Sequence, residues 1–175
     1  MIVIVGESAS GKSTVEKYLV NQYSYSKIVS YTTREPRDGE VDGEDYHFVT
    51  VDKFNQMIEN NEFAEYAQYN GWYYGTAKKD CTDDKVIVCT PHGLRQLKKN
   101  PELNITSFYI YVPQRDRLIK ILQRGDDIIE AVRRNISDCG MFDGIADEVD
   151  YVINNNHYER SALGIAHEIA SIMDK

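Results

Sequence analysis

The most constraining feature of the sequence stands at its start, where the apolar run MIVIV, residues 1–5, breaks at once into GESASGKS, Gly6 to Ser13. A short, continuous apolar run suits a strand buried on both faces of a parallel sheet. The octapeptide matches G-x-x-x-x-G-K-[ST], and it lies between that strand and a helix predicted from about Gly11, with Val15, Tyr18 and Leu19 on one face. Gly6 and Gly11 let the backbone amides of the loop, Ser8, Ala9 and Ser10 among them, converge on phosphate oxygens. The helix N-terminus adds positive potential, and Lys12 can reach the β and γ phosphates. Ser13 offers an oxygen to Mg2+, and Thr14 helps the turn or the helix start. A glycine turn capped by serines would show the same letters, but the strand before and the helix after favour a nucleoside triphosphate site. The motif alone leaves a kinase, a GTPase and a motor open.

Further along, Thr50 can cap a helix carrying Phe54, Met57 and Ile58 at helical spacing. EFAEYAQY and WYYGT, separated by Asn70-Gly71, read as two strands joined by a tight turn. KVIVCT (85–90), ITSFYIYV (105–112) and DYVINN (150–155) are strand candidates, with helices predicted at about 91–99, 114–124, 127–138 and 157–174. This alternation predicts an α/β sandwich with a mainly parallel core and ligands at the carboxyl ends of its strands. The hairpin region and residues 124–148 are then appendages. In the last helix Leu163, Ala166, Ile169, Ala170 and Met173 form a stripe expected to face the core.

A length of 175 residues suits one domain. With 28 acids against 20 bases and a net charge of -8, the chain is poorly suited to a nucleic acid polymer or an anionic membrane, so an anionic ligand needs a local basic pocket. Cys81, Cys89 and Cys139 have no CxxC spacing and suggest neither a disulfide framework nor a zinc site. The opening apolar run is too short for a signal peptide or a membrane span, and a cytoplasmic protein is expected. No Ser/His/Asp triad, HExxH or EF-hand pattern is present.

SYTTREPRDGEVDGEDYHFV, Ser30 to Val49, taken by itself reads as a solvated loop whose arginines pair with Glu35, Asp38 and Glu40. Together with FAEYAQYNGWYYGT, the phosphate loop and the later QRG, it resembles the nucleotide-monophosphate-binding region of guanylate kinases. The resemblance covers most of the chain. It implies a P-loop NMP-kinase-like three-layer α/β/α sandwich with a parallel core sheet at about 1–29, 77–123 and 149–175. A small GMP-binding flap would occupy about 30–76 and a short lid about 124–148. The implied reaction moves the γ-phosphoryl of ATP to GMP, and also to dGMP, with Mg2+, as a step of purine nucleotide metabolism.

Residue by residue, the resemblance places Arg34, Arg37, Tyr46 and Tyr74 on the GMP phosphate. Ser30, Glu65 and Thr76 fall on the guanine, with Gly75 beside them. The chemistry agrees. Two arginines three apart can fork onto phosphate oxygens, and two tyrosine hydroxyls add neutral donors. Guanine presents two adjacent N–H donors to a carboxylate such as Glu65, while the Thr76 hydroxyl can donate to the base carbonyl.

In the lid, Arg124 matches a charge-stabilising arginine through its RG pair, and Arg134 is the candidate for a second, although the apolar register puts Asn135 at that position. Lys120 stands where the family often has another arginine. Asn155 resembles a residue near the ATP base. Val88 and Thr90 stand where the family usually places carboxylates, so Thr90 keeps only a hydrogen-bonding part of that role. A kinase of another nucleoside monophosphate and a non-catalytic phospho-ligand-binding module remain the alternatives.

Overall fold

β1 (Ile2–Val5) alternates its side chains between two cores. Ile2 and Ile4 pack with Val15, Leu19, Phe108 and Ile169 on one face, and Val3 and Val5 with Ile87, Leu94, Leu97 and Tyr109 on the other. All four are fully buried, and each contributes about 1.5–3 kcal/mol relative to exposure. The structure, a computed structural model, describes residues 1–69, 71–125 and 128–174, with the side chains at positions 69, 124, 128, 130 and 131 outside the description.

The core sheet has the order β2 (Ser26–Lys27), β7 (Lys85–Val88), β1, β8 (Thr106–Tyr111) and β9 (Tyr151–Asn154). Every pairing in it is parallel. α1 (Lys12–Gln22) and α6 (Ala162–Met173) cover one face, and α3 (Pro91–Leu97) lies on the other. The strand expected over 85–90 ends at Val88 because Thr90 caps α3, its hydroxyl accepting from Gly93 N at 3.2 Å with a proline at the first helical position.

A second sheet, ordered β4 (His47–Phe48), β3 (Tyr31–Thr32), β6 (Trp72–Ala77) and β5 (Phe63–Tyr69), is built from the segment between β2 and β7. The antiparallel β5–β6 pair is the expected hairpin, closing at Tyr69 and Trp72; Asn70 of its turn lies outside the described residues. α2 (Val51–Glu59) starts as expected, with the Thr50 hydroxyl accepting from Lys53 N at 3.1 Å. Its Phe54 stacks on Phe63 with ring centroids 4.4 Å apart. A Cβ at Gly75 would lie 2.8 Å from the Phe63 ring, so only glycine lets β6 cross these aromatics.

Two helical expectations shift. The last helix begins at Ala162, not near 157: the segment Asn156–Tyr158 is a 3-10 turn with His157 at φ 53, and Ser161 caps α6 by accepting from Gly164 N at 3.0 Å. That start turns Ile165, Ala166, Ile169 and Ala170 inward and leaves Leu163 39% exposed. α4 (Gln114–Arg124) and α5 (Ile128–Asp138) bracket positions 126 and 127, which lie outside the described residues. On α5 Val132 and Ile136, four residues apart on one helix face, are both exposed, at 47% and 68%. No helix among the described residues is long and apolar enough to cross a membrane.

Candidate active site

The phosphate loop leaves β1 where the backbone has least room. A Cβ at Gly6 would sit 2.7 Å from both the Ile110 carbonyl oxygen and Ser10 Oγ, so a side chain there would force the loop off the sheet. Ala9 at φ 66 and Gly11 at φ 96 are left-handed and curl the chain back, letting Ser10 N donate to Glu7 O at 3.1 Å. The first amides of α1 then have no intrahelical acceptor and open toward an anion. Ser10 is buried, and its hydroxyl has no hydrogen-bond partner among the described residues.

Lys12 Nζ donates to Glu7 O at 2.7 Å, lying back across its own loop. Burial lowers its pKa to about 8, against the pull of the Asp138 and Glu7 carboxylates. Ser8 N donates to Asp138 Oδ2 at 2.7 Å, and the Tyr158 hydroxyl donates to Ala9 O at 2.8 Å. Ser13 and Thr14 are exposed on the first turn of α1.

Gly6, Ser8, Lys12, Thr90, Arg134 and Asp138 line one cavity of about 290 Å³. This brings the lid candidate Arg134 to the lysine. Arg124 ends α4, and its side chain lies outside the described residues. Asn155 is buried and spent on the backbone: Arg160 N donates to its Oδ1 at 2.9 Å, and its Nδ2 donates to Arg160 O at 3.2 Å. It shapes the loop that carries Tyr158. Tyr158 itself lines a separate cavity of about 230 Å³ with Asp116, Lys120, Gln123 and His157.

On the second sheet Arg34 is buried at 7% exposure. Its Nη2 donates to both Glu40 oxygens at 2.8 and 2.9 Å, its Nη1 donates to Glu35 O at 2.8 Å, and its guanidinium stands 5.5 Å from the Tyr46 ring centroid. Hydrogen bonding to Glu40 holds its pKa above the usual range. Arg37 N donates to Glu40 Oε2 at 2.8 Å, while the Arg37 residue is exposed. Tyr46 and Tyr74 meet edge to face at 6.0 Å. Asp42 and Asp45 accept from Phe48 N and Val41 N at 2.9 and 2.8 Å and so shape this loop.

The three base-reading candidates form one cluster. Glu65 and Thr76 are cross-strand partners in the β5–β6 hairpin. The Thr76 hydroxyl donates to Glu65 Oε1 at 2.6 Å, and Ser30 Oγ lies 3.5 Å from Thr76 Oγ1. Burial pushes the Glu65 carboxyl upward, and the Thr76 bond partly offsets it. A Cβ at Gly93 would lie 3.2 Å from Glu65 Oε2, so α3 approaches the carboxylate through a glycine. A cavity of about 220 Å³ is lined by Ser13 together with Ser30, Tyr46 and Val88. Phosphate loop and second sheet therefore face one space.

Sequence reasoning missed Gln96, Arg117 and Asp138. Gln96 accepts from Tyr66 N at 2.9 Å and donates to Tyr66 O at 2.8 Å, pinning the strand beside Glu65 to α3. Its signal, a polar residue next to the buried Leu97, is too common to read. Arg117 and Asp138 meet only because the lid folds onto the loop.

For magnesium, Ser13 supplies one hard oxygen on the first turn of α1. Magnesium suits a site in which the remaining ligands are substrate phosphates and water. Among the described residues no group of three or more His, Cys, Asp or Glu could hold a metal alone. The donor set fits a substrate-borne cation.

The guanylate kinase family model matches residues 1–173. The guanylate kinase of Paramagnetospirillum magneticum is 32% identical over 179 residues, covering 98% of this chain and 84% of that protein. That of Nitratidesulfovibrio vulgaris is 36% identical over 169 residues, covering 92% and 81%. The crystal structure of guanylate kinase from Anaplasma phagocytophilum superposes with a TM-score of 0.67 at 26% identity, covering 99% of this chain and 84% of that one. With a family match over residues 1–173 added to a phosphate loop whose Ser13 shares a cavity with Ser30 and Tyr46, the chain belongs to the guanylate kinase family.

Proposed function

We propose that the protein transfers the γ-phosphoryl group of ATP to GMP, and to dGMP, giving GDP or dGDP and ADP. The observation that carries this reading is the shared cavity lined by Ser13 from the donor side and by Ser30 and Tyr46 from the acceptor side. In it an acceptor phosphate oxygen can meet the γ-phosphate in line. The segment of about 30–76 acts as the acceptor flap and that of about 124–148 as the lid.

Lys12 leaves the Glu7 carbonyl for the β and γ phosphates. Ser13 would hold Mg2+, which would supply positive charge to neutralise the triphosphate. Arg34, with Arg37, Tyr46 and Tyr74, fixes the acceptor phosphate. Glu65 accepts the two adjacent N–H donors of guanine, and Thr76 and Ser30 complete the base contact; Thr90 keeps one hydroxyl proton for it, since its oxygen already caps α3. Arg134, with Arg124 as its lid partner, would supply positive charge to offset the negative charge on the transferring phosphoryl oxygens. The adenine lies against Tyr158 and Lys120, which shape the 230 Å³ cavity beside the loop. Closure of flap and lid excludes water and limits wasteful hydrolysis of ATP.

A coupled ADP-release assay with magnesium and ATP across GMP, dGMP, AMP, UMP and dTMP tests the reading. GMP and dGMP should be preferred by at least about 100-fold in kcat/KM, since a site built to bind a donor pair leaves buried groups unpaired with other bases. Equal rates with AMP would refute the guanine assignment.

A further inference from the structure

Behind the phosphate loop a buried cation is tied to everything that must move when ATP arrives. Arg117 of α4 is 5% exposed. Its Nε donates to Val112 O at 3.0 Å, and its Nη1 donates to Ser8 O at 3.3 Å and to Asn135 Oδ1 at 3.4 Å. Its Nη2 stands 3.8 Å from Glu7 Oε1, and its Nη1 stands 3.8 Å from Asp138 Oδ2. The same Asp138 oxygen accepts the Ser8 amide at 2.7 Å. Arg117 thus grips the carbonyl of the peptide unit after Ser8 while the amide before it is held by a lid carboxylate.

A phosphate loop works by presenting backbone amides to phosphate oxygens. Here one such amide already has an anion, and Asp138 lines the same cavity as Lys12, so this anion sits in the field of the loop lysine. Two anions cannot share one amide and one lysine. Asp138 has room to leave, because it lines both the 290 Å³ cavity at Lys12 and a cavity of about 670 Å³ on its other side, which Arg117 and Asn135 also line.

We propose that Arg117 is a positioning residue of the donor site, holding the Ser8 peptide and a positive charge behind the terminal phosphate, and that Asp138 keeps the phosphate's place until ATP displaces it. Asn135 fits this arrangement. A neutral acceptor at that lid position clasps Arg117, where a second guanidinium would repel it. Lid docking and loop order are then read through one cation, and the charge facing the donor phosphate comes from the core helix as well as from the lid. The proposal rests on the reading of the loop as an ATP site.

Calorimetric titration of ATP with magnesium and without GMP is the test, so that its outcome is independent of GMP turnover. Asp138→Asn, which keeps shape and removes the competing charge, should tighten ATP about tenfold, the worth of one charge-assisted hydrogen bond. Unchanged or weaker ATP binding would overturn the placeholder. Arg117→Met should raise the KM for ATP about tenfold with the KM for GMP held within about twofold, and Arg117→Lys should recover most of the loss. A folded Arg117→Met enzyme with unaltered ATP parameters would overturn the positioning role. Should Arg117→Met fail to fold, Arg117→Gln takes its place: a KM for ATP raised about tenfold supports the role, and unaltered ATP parameters refute it. If the wild-type protein binds ATP and Asp138→Asn binds it more tightly while GMP is not phosphorylated, the acceptor assignment fails and this inference stands.

Discussion

At the donor end of the site a lid carboxylate, Asp138, accepts a backbone amide of the phosphate loop; at the acceptor end a flap carboxylate, Glu40, accepts a guanidinium. The chemistry looks alike, but the spare capacity differs. The Ser8 amide has one hydrogen, so phosphate and Asp138 exclude each other. Arg34 has five N–H donors in a fixed fork; Glu40 takes those of Nη2, and Glu35 O takes one of Nη1. The guanidinium also hydrogen-bonds the Tyr74 side chain, so it is a fork shared among several acceptors, with no single hydrogen for which Glu40 and a phosphate must compete. Asp138 therefore competes with substrate, whereas Glu40 braces the group that binds it.

The largest expected effect lies at the donor end. Lys12→Ala should lower kcat by at least about 10³-fold, because it removes a charge aimed at the transferring group. GMP affinity by calorimetry should be unchanged. A variant retaining a tenth of wild-type turnover would mean that the loop binds its ligand some other way.

Next in size is the base pocket. Glu65→Gln should lower kcat/KM for GMP by about 100-fold, since an amide cannot accept from both guanine donors. Its stability should move in the opposite direction. Burial holds the folded-state pKa of Glu65 above the ordinary value, so its contribution to stability is present at low pH and is lost as pH rises through that raised pKa. At neutral pH Glu65→Gln should have a higher Tm. By the same sign, 1/KM for GMP should fall as pH drops through the raised pKa, a limb absent in the Gln variant. A lower Tm in Glu65→Gln would place the carboxylate in the structural scaffold.

The contrast between the two ends also explains what was legible beforehand. The donor end is local and made of backbone: the apolar strand, two glycines, Lys12 and Ser13 stand within a few turns of chain, so spacing alone exposes them. The acceptor end is made of side chains far apart in sequence, Ser30, Glu65 and Thr76 meeting only when β5 and β6 pair and Arg34 set by Glu40 and Tyr46, and only the family resemblance joined them. β2, β3 and β4 are two residues long, too short for any periodicity to show. Asn155 reads as a ligand contact but closes a loop, because both hydrogen-bonding ends of its amide are used by Arg160. Leu163 joined the apolar stripe because the Ser161 cap, which sets the register of α6, lies inside the span assigned to the helix.

Glu40→Gln sharpens the comparison directly. A neutral side chain keeps one bond to Arg34 and weakens the brace, so the KM for GMP should rise about fivefold while that for ATP stays constant. Asp138→Asn should move ATP binding the other way. If both substitutions tightened their ligand, the flap carboxylate would also be a competitor, and the distinction drawn from donor count would fail.

The smallest expected effect tests how closely α3 must approach the base pocket. Gly93 is buried, and a Cβ there would stand 3.2 Å from Glu65 Oε2 and 3.2 Å from Cys89 Cβ. Cys89 is fixed by its neighbours on β7, so the flexible carboxylate is the group that yields, moving by a few tenths of an ångström. Gly93→Ala should raise the KM for GMP about threefold, leave kcat and the KM for ATP unaltered, and narrow the margin between GMP and AMP. The Thr90 cap is retained, because it uses the backbone amide at position 93 and not a side chain. The effect should thus appear in acceptor binding without a fall in Tm of more than a few degrees. A change in the KM for ATP would show instead that the turn between β7 and α3, which lines the Lys12 cavity through Thr90, transmits the strain to the donor end.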